Sequence, residues 1–262
     1  MAIAEAAIAR IAGSKQIVLA SSDTPDQHPQ QQVPVWDLPT RLFHWSLVAL
    51  ILCAYMTSNY AEAIGDHFLL IHRLNGLAIL VLLTFRALWG VLGAPTARFS
   101  SFVRWPGKAL TYASQLLRGR APHYLGHNPL GAWMVIALLL AVAVQAFLGL
   151  FSSDDTGLAA GPLHGLVSPD TVHLLTGWHH RLFKWLLLPL IATHILVNLF
   201  YTVIKREPLI QAMVSGTKPA LPYVDASANV QAANAGRRAL GCLVAAIVLV
   251  LGTIWIVSGK LV

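Results

Sequence analysis

Charged residues are scarce in this sequence. Only 11% of its 262 residues are Asp, Glu, Lys or Arg, whereas an average soluble domain has about 25%. Hydrophobic residues make up 56% of the chain, so the composition excludes an ordinary soluble domain and favours a membrane protein. Cysteine is scarce as well. Cys53 and Cys242 both lie within hydrophobic runs and offer no disulfide framework, and no CxxCH motif for covalent attachment of c-type haem is present.

We expect no cleaved signal peptide at the N-terminus. Glu5 comes early in MAIAEAAIARIAGSKQIVLA, and this stretch has neither a basic n-region nor a long hydrophobic core. The residues that follow, SSDTPDQHPQQQ at 21–32, are polar and predict a disordered linker. Residues 1–33 are therefore expected to form a disordered or amphipathic tail.

Long hydrophobic runs are what the sequence does contain. A membrane-spanning helix needs about 20 hydrophobic residues, and five stretches meet this length: roughly 42–61, 68–92, 130–151, 185–204 and 239–257. Buried core helices of a large soluble protein are the alternative, which so few charges and such long runs disfavour. Residues 106–120, PGKALTYASQLLRGR, begin with a proline suited to a first helical position and predict a helix along the membrane interface.

The basic residues predict the orientation of these helices. The loops at 93–128 and 205–238 each contain five Lys or Arg, whereas the loops at 62–67 and 152–177 contain none. By the positive-inside rule, the N-terminus and the two basic loops are cytoplasmic. We therefore expect a multi-pass protein of the bacterial inner membrane. The net charge of +7 reflects this topology and is not read as a nucleic-acid-binding surface.

Eleven histidines are present, and most lie outside the hydrophobic runs. Five are predicted to be solvated loop residues: His28 in the linker, His67 and His164 in the outer loops, and His123 and His127 in a basic loop. Two lie near the outer end of the fourth helix and are kept as reserve ligands: His173 and His179. Four are expected at membrane depth: His44, His72, His180 and His194.

The fourth helix carries two of these histidines on nearly one face. His180 and His194 are 14 residues apart, which is about 40° short of four helical turns and about 21 Å along the axis. His179 is 15 residues from His194, or about 60° past four turns. His180 is the preferred ligand on this basis, by a small margin.

The predicted depths of these four histidines in the membrane pair them across helices. His72 and His180 lie toward the outer side, and His44 and His194 toward the cytoplasmic side. Two opposed imidazole pairs suit two bis-histidine haems, whereas zinc would need clustered carboxylates or thiolates that are not present at that depth. Polar helix contacts or a proton relay are the alternative, because buried histidines also serve those roles.

Haem propionates need cationic partners, and cations accompany both pairs. Arg73, Arg181 and Lys184 lie beside the outer pair. Arg86 follows His72 by 14 residues and therefore lies near the inner pair, as does Arg41. Snorkelling to lipid headgroups is the alternative, especially for Arg181 and Lys184. Gly76, one turn after His72, would let a porphyrin approach the backbone.

Four stretches together resemble a known family: VPVWDLPTRLFHWSLV, IHRLNGLAILVLLTFRALWG, GHNPLGAWMV and HRLFKWLLLPLIATH. They are similar to nickel-hydrogenase-type cytochromes b, over about residues 34–218. The resemblance implies a four-helix core that holds two haem b groups through His44, His72, His180 and His194. It also implies electron transfer between a partner on the outer face and membrane quinone. The fifth helix lies beyond this core.

The sequence thus predicts an all-α membrane protein: a four-helix transmembrane haem-binding bundle plus a fifth C-terminal transmembrane helix. The expected divisions are a cytoplasmic tail at 1–33, a di-haem domain at 34–218, and a linker with the additional helix at 219–262. We expect an electron-transfer subunit rather than a free-standing catalyst, whether in a complex or as a homo-oligomer.

The expected partners are a periplasmic redox protein, such as a c-type cytochrome or a hydrogenase or dehydrogenase subunit, together with lipid and quinone, and no nucleic acid. Two alternatives stay open. One is a self-contained superoxide–quinone oxidoreductase, with Arg73, Arg181, Lys184 and His173 as a cationic funnel. The other is a non-redox haem-handling membrane protein.

Overall fold

Five long hydrophobic helices dominate the computed structural model, which describes residues 31–60, 65, 67–154, 157–225 and 234–259. In chain order the helices are α1 (Leu38–Asn59), α2 (His67–Leu92), the one-turn α3 (Phe99–Phe102), α4 (Pro106–Leu117), α5 (Pro129–Phe151), α6 (Pro169–Val203), α7 (Leu209–Ser215) and α8 (Ala235–Ser258). Helices α1, α2, α5, α6 and α8 are each long and hydrophobic enough to cross a membrane. The predicted all-α membrane protein with five such helices is confirmed.

Three of the long helices begin in the same way. Asp37, Asn128 and Ser168 cap α1, α5 and α6, and each side chain accepts a hydrogen bond from the backbone N–H three residues later. A proline stands in the first two positions of each helix, where the missing N–H costs nothing. Because its cap is Asp37, α1 begins four residues before the hydrophobic stretch seen in the sequence.

The fourth long helix, α6, extends well beyond its predicted stretch of 185–204. It begins at Pro169 and spans 35 residues, because the polar half that precedes Trp185 is also helical. A single π-helical turn, Phe183–Leu187, interrupts it. Pro189 follows this turn and has no N–H to donate to the carbonyl of Trp185, which accounts for the local widening.

The fifth long helix, α8, packs against α2. Cys242 and Ala246 of α8 are buried one turn apart against Phe85 and Trp89 of α2, and Phe43 of α1 completes the cluster. Small residues at this contact let the two backbones approach closely. Helix α8 therefore adds a layer on the α2 side of the bundle.

Short elements close one end of the bundle, where the basic loops lie. We call this the basic end, and the end formed by residues 60–67 and 152–168 the opposite end. At the basic end, the helix predicted within residues 106–120 is present as α4, with Pro106 in its first turn. The buried Tyr112 of α4 shares a hydrogen bond of 3.1 Å with Tyr201 of α6.

Two short strands, β1 (Gln32–Pro34) and β2 (Thr217–Pro219), pair at the basic end and were not predicted. Gly216 makes the tight turn before β2 with a φ of +88°, and its carbonyl accepts hydrogen bonds from the N–H groups of Val35 and Trp36. A Cβ at this position would lie 2.9 Å from the Trp36 carbonyl oxygen, so glycine is required there.

Residues 33–262 form one unit and residues 1–32 another. The predicted tail and its polar linker lie outside the described residues, apart from residues 31–33. Glu62, Asp66 and Asp155 of the predicted acidic loops, and residues 226–233 of the predicted linker, are also outside them.

Candidate haem-binding sites

Four histidine rings form two pairs across the bundle. At the basic end, His44 of α1 faces His194 of α6, with ring centres 6.4 Å apart and planes inclined by 51°. At the opposite end, His72 of α2 faces His179 of α6, with ring centres 6.3 Å apart and planes inclined by 86°. Helix α6 thus contributes one histidine to each pair.

The spacing within both pairs suits two imidazoles on one iron. A metal–imidazole bond is about 2.0 Å long, and the ring centre lies about 1.1 Å beyond the ligating nitrogen. Two axial imidazoles therefore have ring centres about 6.2 Å apart, which agrees with both measured separations to within a few tenths of an ångström. The four residues fit bis-histidine haem ligation.

Hydrogen bonds to backbone carbonyls orient both rings of the opposite-end pair. His72 Nδ1 lies 3.0 Å from the carbonyl oxygen of Ala54, and His179 Nδ1 lies 3.0 Å from that of Gln145. Each Nδ1–H donates to its carbonyl, which leaves the lone pair on Nε2. The Gln145 side-chain amide nitrogen is 3.1 Å from His179 Nε2 and donates to that lone pair, so this amide has to turn aside before Nε2 can bind a metal. This is the tautomer that a metal-binding histidine needs.

The basic-end pair is held differently. His44 packs edge-on against Trp45, and its Nδ1 is buried without a hydrogen-bond partner among the described residues. Asn198 donates to the His194 carbonyl at 2.7 Å, and its amide nitrogen also lies 3.4 Å from both nitrogens of the His194 ring. The early start of α1 brings His44 to the depth of His194.

His180, the preferred outer ligand in the sequence, is exposed, whereas the reserve ligand His179 is partly buried and faces His72. The preference for His180 assumed a regular α-helix. The π turn between the ligands absorbs about one extra residue, or about 100° of rotation. The 15 residues from His179 to His194 then end about 40° short of four turns, whereas the 14 residues from His180 end about 140° short. His173, the other reserve, is exposed.

The predicted cationic partners fall into two groups. Arg181 and Lys184 are exposed on α6 and lie over the rings of Trp178 and Trp185, at 5.8 and 5.2 Å. The structure therefore does not turn them toward the opposite-end pair. Arg73, one residue after His72, is partly buried, and its Nε has no hydrogen-bond partner within the described part of the chain.

Arg41 and Arg86 both lie at the basic end. Arg41 donates a hydrogen bond through Nη1 to the carbonyl of Val214. Arg86 is only 3% exposed, and its guanidinium group stacks over the ring of Phe99 at 4.6 Å. These two arginines remain the candidate partners for haem carboxylates at this end.

Glycines leave room beside the opposite-end pair. A Cβ added at Gly76 would meet no other atom within 4 Å, so this part of α2 is open for a close approach to the backbone. The space beside Gly149 of α5 is already filled by a ligand: a Cβ there would lie 3.2 Å from Cε1 of His179. Gly149 therefore allows the His179 ring to pack against α5.

His127 was predicted to be a solvated loop residue, and this is wrong. Its ring packs between Trp36 and Phe102, with ring centres 4.7 and 4.6 Å away, and its Nδ1 is buried. Burial, together with the positive charges of Arg86 and Lys218, lowers the pKa of His127 to about 3. Trp36 and Phe102 are distant from His127 in sequence, so no local pattern could reveal this packing. His123 is exposed, as predicted, and pairs with Glu207 at 2.8 Å.

Comparisons with known proteins point to one group. A family described as prokaryotic cytochrome b561 matches residues 35–216. The chain is 26% identical over 219 residues to a probable Ni/Fe-hydrogenase B-type cytochrome subunit of Rhizobium leguminosarum bv. viciae, covering 72% of this chain and 90% of that protein. It is 27% identical over 216 residues to the protein of the same description in Azotobacter vinelandii, covering 71% and 88%. No solved structure matches the chain.

Proposed function

The chain belongs to the prokaryotic cytochrome b561 family, whose b-type haem supports transmembrane electron transfer, and we propose that its paired histidines hold two haem b groups. His44 and His194 ligate one haem at the basic end, and His72 and His179 ligate the other at the opposite end. The observation that carries this proposal is the ring spacing of 6.4 and 6.3 Å in two separate pairs. When bound, a bis-histidine haem supplies a one-electron carrier with no open coordination position.

The protein's own residues prepare these positions in advance. The carbonyls of Ala54 and Gln145 fix the rings of His72 and His179 in the tautomer that presents Nε2. Helix α6 links the two sites rigidly because it carries one ligand of each pair, about 22 Å apart along its axis. The two sites together then cover much of a hydrocarbon core about 30 Å thick.

Electrons pass between a redox protein at the opposite end and membrane quinone. The relatives support a hydrogenase as this partner, since they are named as cytochrome subunits of Ni/Fe hydrogenases, and the chain spans 88–90% of the two described above. A dehydrogenase subunit or a c-type cytochrome is the alternative donor class. The protein lies in the bacterial inner membrane with its basic end in the cytoplasm, in accordance with the positive-inside rule.

Proteoliposomes that contain the purified protein test this function. Addition of a soluble quinol analogue is expected to reduce both haems, and addition of oxidised quinone is expected to reoxidise them. The His44→Ala/His194→Ala variant serves as the control without the basic-end site. Failure of quinol and quinone to change the haem spectrum of the wild-type protein would contradict the quinone half of the proposal.

The partner is tested separately with vesicles in which only the opposite end faces the added protein. A Ni/Fe hydrogenase under hydrogen is expected to reduce the haems, and a reduced c-type cytochrome is expected to do so more slowly. Reduction by the c-type cytochrome alone would favour the alternative donor class. Reduction by neither protein would contradict an outer-face partner of these two kinds.

A further inference from the structure

Polar atoms without partners are concentrated at the basic end. Among the described residues, ten buried side-chain nitrogen or oxygen atoms have no hydrogen-bond partner, and seven of these belong to residues at this end. The seven are Thr40 Oγ1, Arg41 Nε, His44 Nδ1, Arg86 Nη1, Thr96 Oγ1, His127 Nδ1 and Thr202 Oγ1. Buried polar groups are normally paired, because a group buried without a partner loses the hydrogen bonds that it makes to water in the unfolded chain. Such a concentration indicates a polar ligand.

The same region contains two buried cations. Arg86 and Lys218 are 3% and 2% exposed. Asp37 is the acid within electrostatic range of Arg86, but one of its carboxylate oxygens accepts from the Thr40 N–H and the other from Trp89 Nε1. Lys218 donates to the Tyr124 carbonyl, and the carboxylates of Glu207 and Asp225 also act on its charge. Arg86 is therefore the buried cation whose nearby acid already accepts two hydrogen bonds, so the ligand should carry negative charge.

His127 lies near these cations and near the basic-end histidine pair. It is within electrostatic range of Arg86 and Lys218, and also of His44 and His194. The rings of Trp36 and Phe102 hold its orientation. His127 is therefore a neutral hydrogen-bond donor or acceptor, fixed in place beside two cations and next to the candidate haem ligands.

We propose that His127, Arg86 and Arg41 bind the propionate carboxylates of the haem that His44 and His194 hold. This inference rests on the proposed function and names the residues that anchor that haem. The hydroxyl groups of Thr40 and Thr96 donate further hydrogen bonds, and Lys218 adds positive charge. Thr40 and Arg41 lie about one turn before His44 on α1, so carboxylates at this end are within reach of an axially ligated ring.

The charge balance distinguishes this ligand from the other acceptors that a membrane offers. A haem carries two carboxylates, which match the guanidinium groups of the buried Arg86 and the partly buried Arg41, together with a neutral donor. A quinone headgroup is uncharged and would leave Arg86 with Asp37 alone, whose oxygens already accept from the Thr40 N–H and from Trp89 Nε1. A lipid phosphate approaches from the exposed surface, whereas Arg86 is almost completely buried.

Haem with esterified propionates tests the proposal in a variant that has only the basic-end haem site. The His72→Ala variant of the full chain retains the basic-end haem only. Haem or haem dimethyl ester is added to this protein after expression in haem-deficient cells, and transfer of the bound group to excess apomyoglobin is then followed. The dimethyl ester is expected to leave at least about tenfold faster than haem, since it lacks charge-assisted hydrogen bonds.

Two substitutions connect this difference to the named residues. His127→Phe and Arg86→Leu are expected to speed the loss of haem by about tenfold or more and to reduce the difference between haem and its ester. His123→Phe in the same loop and Arg118→Leu on the surface are the matched controls, and both should behave like the His72→Ala background. Arg86→Lys keeps the charge and should restore part of the retention if Arg86→Leu folds poorly.

A second measurement does not depend on haem transfer. In redox titrations of the two-haem protein, Arg86→Leu is expected to lower the midpoint potential of one haem and leave the other unchanged, because a nearby positive charge favours the reduced iron. Equal retention of haem and its ester by the His72→Ala protein would overturn the proposal. Absence of any haem from that protein would instead contradict the proposed ligand pairs.

Discussion

The ring of His179 faces the ring of His72 at a distance of 6.3 Å between ring centres, whereas the adjacent His180 is exposed. One residue therefore decides which histidine can ligate at the opposite end. The π turn at Phe183–Leu187 makes this selection, because it rotates the part of α6 that precedes it by about one residue relative to His194. Four predictions follow from this geometry and from the packing around it.

Substitution of the two adjacent histidines should have opposite results. His179→Ala is expected to reduce the haem content from two to one per chain, because it removes one ligand of the pair with His72. His180→Ala is the matched control and should keep two haems. Pyridine haemochrome spectra and protein assays on the purified variants measure the ratio. Loss of a haem from His180→Ala alone would show that α6 is regular between its ligands.

Deletion of a residue within the π turn should be tolerated. Removal of Leu186, whose side chain is 46% exposed, leaves His179 and His194 separated by 14 residues in a regular helix, at nearly the same angle as before. The deletion variant is expected to retain two haems. Insertion of one alanine after Leu187 should misalign the ligands by about 100° and lose one haem. If the deletion loses a haem and the insertion does not, the π turn does not set the alignment.

A larger side chain at Gly149 should displace His179. Because a Cβ at this position already lies 3.2 Å from the His179 ring, Gly149→Val forces the ring away from its carbonyl partner on α5. The expected result is loss of the opposite-end haem with the basic-end haem unchanged. Gly252→Val on α8 is the control, since a Cβ at Gly252 would meet no atom within 4 Å. Two intact haems in the purified Gly149→Val protein would contradict the proposed role of His179.

The fifth long helix should stabilise the bundle without contributing to the haem sites. Ala246 is completely buried between α8 and α2, so Ala246→Leu is expected to destabilise the protein by about 1–3 kcal/mol through overpacking. Thermal unfolding in detergent measures this change, and the haem content should stay at two per chain. Leu249→Phe on the exposed face of α8 is the control. Loss of a haem from Ala246→Leu would indicate that α8 also shapes a haem site.

The main architecture could be predicted from the sequence because membrane-spanning helices are recognised by the length and hydropathy of their segments. All five spanning segments were found, and the caps Asp37, Asn128 and Ser168 explain why three helices begin earlier than hydropathy indicates. The first half of α6, Pro169–Leu182, was missed because its polar residues lower the local hydropathy. The short strands β1 and β2 were missed because three-residue strands give no periodic signal.

The candidate site was predicted less completely. Helical spacing and depth identified His44, His72 and His194, all of which the structure brings into pairs. The choice between His179 and His180 depended on a regular helix, and Pro189 was the available sign that α6 is not regular. The environment of His127 could not be predicted, because residues from three separate segments meet there only in the folded chain.

The central claim is that two histidine pairs hold two haems in one chain. The most direct measurement is the haem-to-protein ratio of the purified wild-type protein, His72→Ala and His194→Ala, with reduced-minus-oxidised spectra of each. We predict two low-spin b haems in the wild type and one in each variant, with different spectra for the haem that remains. A single haem in the wild type, or the loss of the same haem in both variants, would contradict the claim.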